Sequence, residues 1–281
     1  MKKFICLSLF LLLFLGVLPK SAESEVPEYI VGIIPQYTPV VTHERWAPFC
    51  DYLSQKTGVK MKLKLSKSIA SFEKELMKGV FDFVYMNPYE PVQAKEEQGY
   101  LFLVRDSANP VVGILVVRKD NPVKSVKELD GRKIGFPSPN AFMASLYMRA
   151  VLIEQEGISF TPEYLKTHDN VYRHILSGMV IAGGGVKGTL KKQPPEVQEQ
   201  LRILYETEAI APHPFSAHPR VPEKLRQDVA AAIFDLSKTE EGRAMLKDIS
   251  IPQPVAADYE RDYAGLEKLR LEKYWDEDSE E

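Results

Sequence analysis

Strand-like and helix-like stretches alternate from Tyr29 to Leu236, and few folds accommodate such a pattern. Tyr29–Ile34 is a short apolar run of the kind a buried strand takes, and the next stretch places Trp46, Phe49 and Leu53 on one helical face before Gly58 stops it. Val59, Met61, Leu63 and Leu65 then alternate with Lys60, Lys62 and Lys64, the period of a half-buried strand. A helix over Phe72–Lys78 ends at Gly79, and the apolar strand Val80–Met86 runs into Asn87-Pro88, where Asn87 is placed to cap a helix that begins at Pro88. Strands follow at Leu101–Val104 and Gly113–Arg118, then a capping box at Ser125 and Glu128, then a strand at Lys133–Phe136. The turn Pro137–Asn140 opens a helix that runs from Ala141 to about Gln155. Asp169 caps a helix that stops at Gly178, and Met179–Ala182 and Ile203–Tyr205 are further strands. Leu225, Val229, Ile233 and Leu236 share one helical face. The alternation predicts an α/β protein whose two mainly parallel sheets are flanked by helices.

The ends of the chain read differently. Lys2 and Lys3 precede an uncharged apolar run from Phe4 to Leu18, followed by the small residues Ser21, Ala22 and Ser24. This is the pattern of a secretory signal peptide over residues 1–24, cleaved near Ala22 or Ser24, and the run is shorter than the roughly 20 residues a membrane-crossing helix needs. The mature protein is therefore expected in the periplasm. At the other end, residues 274–281 form an acidic tail.

The whole chain has 36 basic and 39 acidic residues; three lysines leave with the signal, so the mature protein is mildly acidic. That balance argues against nucleic acid as a partner, and any anion must be captured by a local site. Of the two cysteines, Cys6 lies in the signal, which leaves Cys50 without an intramolecular partner and reads as a core residue. No metal site is expected, because His213 and His218 have neither an HExxH motif nor cysteines beside them. A mature length of about 255 residues commonly divides into two domains.

In α/β sheets, ligands bind beyond the carboxyl ends of strands, where helix N-termini present free N–H groups. Three strand-to-helix junctions qualify: Pro35–Thr38, Tyr85–Tyr89 and Pro137–Ala141. Each alone also reads as an ordinary capped helix start. Together they crowd aromatic and amide groups at one edge.

The order of Trp46-x-Pro48, Asp82-Phe-Val-Tyr-Met-Asn-Pro-Tyr89, Leu129-Asp-Gly-Arg-Lys-Ile-Gly-Phe136, His168-Asp-Asn-Val171 and Glu240-Glu-Gly-Arg-Ala-Met-Leu246 resembles the phosphate/phosphite/phosphonate-binding proteins of ABC importers, over roughly Tyr29 to Leu271. The resemblance implies a two-lobed periplasmic-binding-protein fold of type II with two crossing hinge strands. Lobe one would comprise residues 25–115 and 212–273, and lobe two residues 116–211, with crossings near Gly113–Arg118 and Tyr205–His213. It further implies a monomer without cofactor that holds a small anionic solute and delivers it to a permease in the inner membrane.

Carried over residue by residue, the family's first-loop contact falls on Tyr37 and Thr38. Its aromatic contact falls on the stretch containing Tyr85, Asn87 and Tyr89, without fixing which tyrosine points inward. The family's Ser/Thr-rich oxyanion turn falls on Ser138, Asn140, Ala141, Phe142 and Met143, so the hydroxyls are missing at its centre. Main-chain N–H groups of Ala141–Met143 remain as donors. The family's acidic position after the small-residue strand is also absent, since Val180–Ala182 leads into Gly183-Gly-Gly185. His168 matches the family's histidine and can donate to an anionic oxygen, or it can help Asp169 cap their helix. A hydrolase is disfavoured by the lack of a G-x-S-x-G elbow or a convergent carboxylate pair. Two binding roles stay open: delivery to an ABC permease, or signalling to a membrane histidine kinase.

Overall fold

The computed structural model describes residues 26–275. The expected signal peptide lies outside the described residues, as does the expected acidic tail beyond its first two positions. Eleven strands form two sheets among the described residues. The first has six strands in the order β11 (Pro254–Ala256), β4 (Leu101–Asp106), β10 (Pro214–Ala217), β3 (Phe83–Tyr85), β1 (Glu28–Ile33), β2 (Lys60–Leu65). The second has five in the order β7 (Phe160–Tyr164), β6 (Arg132–Phe136), β8 (Ala182–Val186), β5 (Gly113–Arg118), β9 (Leu201–Glu206).

The expectation of mainly parallel sheets needs correction, because both are mixed. In the first, β1 pairs β2 and β3 in parallel, whereas β10 runs antiparallel to β3 and β4, and β11 antiparallel to β4. In the second, β6 pairs β7 and β8 in parallel, while β5 is antiparallel to both β8 and β9. The cause is the double crossing: a chain that leaves one sheet and later returns inserts a strand of reversed direction into each. The sequence pattern reports burial on both faces, not direction, so it could not show this.

The chain passes between the sheets over residues 107–112 and 207–213. The two passages are antiparallel and bonded to each other, with Val111 N donating to Ile210 O (2.9 Å) and Ile210 N to Val111 O (3.0 Å). From its first residue, Gly113, β5 already belongs to the second sheet, so the first passage lies ahead of the Gly113–Arg118 stretch expected from the sequence.

Helix α1 (Pro39–Thr57) shows how sequence fixes local structure here. Thr38 caps it, Pro39 occupies its first turn, Thr42, Trp46, Phe49, Cys50 and Leu53 form its buried face, and Gly58 ends it in the left-handed region at φ 71°. Cys50 is free and sits in the first core, where burial pushes its thiol up to about 12. Helices α2 (Ile69–Met77) and α3 (Glu90–Gln98) complete the helical cover of that part of the sheet. The N-cap of α2 is Ser68, whose Oγ accepts from Ser71 N at 3.1 Å.

In the second lobe the segments Phe142–Leu146, Tyr147–Ala150 and Val151–Gln155 wind continuously as α4, the outer two with widened i→i+5 turns. That helix approaches β8 so closely that a Cβ on Gly184 would lie 1.9 Å from the Ala144 carbonyl oxygen. The glycine run therefore lies within the strand, and glycine is what lets α4 dock on it. Helix α5 (His168–Ser177) packs on the other face of β8, and short helices α6 (Lys187–Lys191) and α7 (Pro195–Gln198) lead to β9.

After β10 the chain returns to the first lobe as α8 (Glu223–Leu236) and α9 (Glu240–Asp248), and after β11 it ends with α10 (Tyr259–Asp262) and tight turns over Ala264–Leu269 and Leu271–Tyr274. This last segment joins a separate apolar cluster with Tyr89, Val111, Phe142 and Leu146, residues contributed by both lobes. Tyr274 is docked, not part of a tail: its Oη donates to Glu154 Oε1 at 2.7 Å and its carbonyl accepts from Arg149 Nη2 at 2.7 Å.

Candidate functional site

Between the lobes lies an inner chamber of about 40 Å³, walled by Ile34, Gln36, Ile69, Asn87, Pro88 and His213 from the first lobe and by Ala141–Ala144, His168 and Val186 from the second, with Val111 of the first passage. Most of this wall is apolar. None of its residues is a lysine or arginine, and its two histidines are uncharged at neutral pH. Burial holds His168 down to about 4 against a smaller opposing influence from Asp169, and burial together with Lys192 and His168 holds His213 down to about 3. His213 is oriented by Gln36, whose Nε2 lies 2.8 Å from its Nε2, and its ring stacks on Tyr85 at 5.2 Å. His168 Nδ1 is buried without a partner among the described residues. It is a free hydrogen-bonding position at the chamber wall.

A second, larger cavity of about 220 Å³ adjoins the first at Ile69, which lines both. It forms the mouth of the cleft, lined among others by Tyr37, Thr38, Ser66, Lys67 and Ser68 of the first lobe and by Ser138, Lys166 and Thr167 of the second. Thr38, Ser68 and Thr167 are the N-caps of α1, α2 and α5, so three helix N-termini meet at this mouth.

Thus Asn87, Ala141, Phe142, Met143 and His168 share the inner chamber, while Tyr37, Thr38 and Ser138 sit at the mouth. Three other residues expected at the site line neither cavity. Tyr85 lies beneath His213, packed on Trp46 at 4.8 Å. Tyr89 turns the other way, stacking on Phe142 at 5.3 Å and accepting from Leu271 N at 3.2 Å, because the C-terminal segment covers it. Asn140 is buried and its Nδ2 donates to Glu73 Oε2 at 3.0 Å, a bond that crosses from the second lobe to the first.

Local capping also differs from the sequence reading. Asn87 Oδ1 accepts from Tyr89 N and Glu90 N, and Glu90 Oε2 accepts in turn from Asn87 N at 2.6 Å, so α3 starts at Glu90 and not at Pro88. Thr167 Oγ1, not Asp169, caps α5; Asp169 accepts from Gln193 Nε2. Sequence reasoning passed over Lys67, Lys166 and the chamber role of His213. An exposed lysine in a loop carries no local signal, and only folding brings residues 67 and 166 to one cavity.

Behind the chamber, Glu73 and Glu90 are both buried, each with its Oε1 unpartnered among the described residues. Burial raises the Glu73 carboxyl to about 8 despite the Asn140 bond, and burial together with the nearby Glu73 charge raises Glu90 well above the carboxylate range. Desolvation thus favours the neutral form of both carboxyls. At the surface, Lys192 of the second lobe donates to Tyr37 Oη (3.0 Å) and Ser250 Oγ (3.1 Å) of the first, so the lobes are latched shut around the two cavities.

Two sheets joined by a double crossing, with enclosed space between them, define a solute-binding protein of the type II periplasmic class. The chain belongs to the family described as "ABC transporter, phosphonate, periplasmic substrate-binding protein", which matches residues 31–263. It is 21% identical over 246 residues to the phosphonates-binding periplasmic protein of Escherichia coli, covering 82% of this chain and 72% of that one. The fold is similar to PhnD1 from Prochlorococcus marinus in complex with methylphosphonate, with a TM-score of 0.78, 19% identity, and coverage of 88% of this chain and 98% of that one. It is equally similar to a binding-protein component of a phosphonate transporter from Pseudomonas aeruginosa, with a TM-score of 0.78, 15% identity, and coverage of 89% and 87%. The family carries solutes for ABC permeases and does not transform them. No helix among the described residues is long and apolar enough to cross a membrane.

Proposed function

We propose that this chain captures a small organic phosphorus oxyanion in the cleft between its lobes and presents the closed form to an ABC permease from the periplasm. The observation that carries this reading is the enclosed space walled by both lobes, in a chain whose family is defined by phosphonate carriage. Residues 107–112 and 207–213 act as the hinge, since they are the only passages between the sheets among the described residues and are bonded to each other at Val111 and Ile210. Ligand held by one wall alone would have little reason to favour closure; ligand touching both walls supplies the differential affinity that closing requires.

Small-angle scattering of the purified mature protein, with and without a saturating alkylphosphonate, tests this. A smaller radius of gyration with ligand is expected. No change at saturating ligand, with calorimetry confirming that it is bound, would refute hinge closure.

A further inference from the structure

We propose that the C-terminal segment Leu271–Tyr274 is a clamp that positions the Ala141–Met143 turn, acting through Arg149 and Tyr89, so that residues lining neither cavity set how tightly the cleft holds its solute. This rests on the phosphonate-binding reading above, in which that turn faces the solute, and names what holds the turn in place.

The turn has little local support. Ala141, the residue before α4, makes no side-chain cap bond, since a methyl group has no acceptor to offer the free N–H groups of the first turn. The helix then opens with the widened i→i+5 winding of Phe142–Leu146, a geometry rare in helices and frequent at functional sites. Ser145 N and Leu146 N both donate to Ala141 O, at 2.7 and 3.2 Å, so these two bonds close the turn. Its placement depends on contacts from distant parts of the chain.

Two chains of contact lead from the turn to the C-terminal segment. Arg149, on α4, donates from Nη2 to Pro139 O at 2.9 Å and to Tyr274 O at 2.7 Å, so one guanidinium ties the entry of the turn to the end of the described chain. A guanidinium nitrogen of this kind carries two N–H groups, one for each carbonyl. On the other side, Leu271 N donates to Tyr89 Oη at 3.2 Å, and the Tyr89 ring stacks on Phe142 at 5.3 Å. Leu271 is itself buried in the apolar cluster that holds Phe142 and Met143. The segment is anchored at both ends. Tyr274 Oη and Lys273 Nζ share the Glu154 carboxylate on α4. Upstream, Tyr263 Oη donates to Pro212 O of the second passage at 2.7 Å, and Asp262 accepts from Arg105 Nη2 on β4 at 2.8 Å. Asn140, between the two points of contact, is held separately by Glu73. Loss of the clamp should therefore loosen the turn without freeing it.

Amide hydrogen exchange on the ligand-free protein, with calorimetric titration of methylphosphonate beside it, tests the clamp in Arg149→Met, Arg149→Lys and the milder Tyr274→Ala, thermal melting confirming that each is folded. In Arg149→Met the Ser145 and Leu146 amides should exchange roughly tenfold faster while those of α8 keep the parent's rates, because the opening is local. Methylphosphonate affinity should fall by about fivefold or more. Lysine retains a donor for one carbonyl, so Arg149→Lys should recover part of both effects, and Tyr274→Ala should show smaller changes of the same sign. Unchanged exchange at Ser145 and Leu146 in folded Arg149→Met would overturn the clamp. So would faster exchange in α8 and the turn alike, the mark of a merely structural arginine, or a loosened turn with methylphosphonate affinity unchanged. Failure of the parent protein to bind methylphosphonate would count against the phosphonate reading alone, since the exchange measurement needs no ligand and still decides whether the segment holds the turn.

Discussion

The inner chamber and the mouth of the cleft adjoin at one side chain, Ile69, yet they are built on opposite principles. The chamber is apolar and its titratable neighbours are driven to their neutral forms: His168 and His213 down, Glu73 and Glu90 up. The mouth keeps exposed ammonium groups, hydroxyls and helix N-termini in partial contact with water. Burial explains the difference, since the same desolvation that penalises a charge in the chamber is largely absent at the mouth.

The strongest way to break that comparison is to fill the chamber and leave the mouth alone. Ala141→Trp puts an indole into the wall beside Phe142 and should lower alkylphosphonate affinity more than a hundredfold by calorimetry, because the lobes can no longer close. Unchanged affinity would show that the solute never enters the chamber.

A smaller effect should come from the acids behind it. A carboxyl whose folded value is raised contributes stability that is present in acid and is lost as pH rises from the unfolded value of about 4.5 towards about 8, because the unfolded chain ionises first. Glu73→Gln keeps an acceptor for Asn140 Nδ2 and removes that titration. Its thermal midpoint should therefore exceed the parent's at pH 8 and match it near pH 4. Identical curves at both pH values would mean that Glu73 titrates as an exposed acid. The histidines act in the opposite sense: their folded values are lowered, so stability falls as pH drops from about 6.5 towards about 4, when the unfolded chain takes up protons that His168 and His213 refuse. The smallest effect belongs to the latch outside the mouth. Lys192→Met removes two exposed bonds across the cleft and should change affinity by less than about fivefold, in line with the ~1 kcal/mol or less of such surface contacts. A larger loss would place Lys192 inside the binding machinery.

How much of this was legible beforehand varies with the range of the interaction. The alternation of strands and helices, the Thr42–Leu53 face of α1 and the Ser125–Glu128 box lie within a few residues of one another, and the sequence showed the pattern of each in part or whole. The chamber wall at Ala141–Met143 and His168 was reached through resemblance to the family, and the loss of hydroxyls there could be read directly. The short edge strands β7 and β11 were not seen, because three to five residues with proline and glutamate among them carry no clear period.

What the amino-acid sequence settled by itself was therefore local: the α/β alternation, helix stops at glycines such as Gly58 and Gly178, and the order of motifs that marks the family. Such features depend on backbone preference and on which side of a strand or helix is apolar, and both repeat within one or two turns of chain. The tertiary structure decided the rest. It reversed one strand in each sheet through the double crossing, turned Tyr89 and Asn140 away from the cavities into contacts with Leu271 and Glu73, and brought Lys67 and Lys166 to one cavity. Those pairings join residues from about 70 to about 180 positions apart, and which of them form depends on how the lobes meet, a property no short stretch of sequence contains.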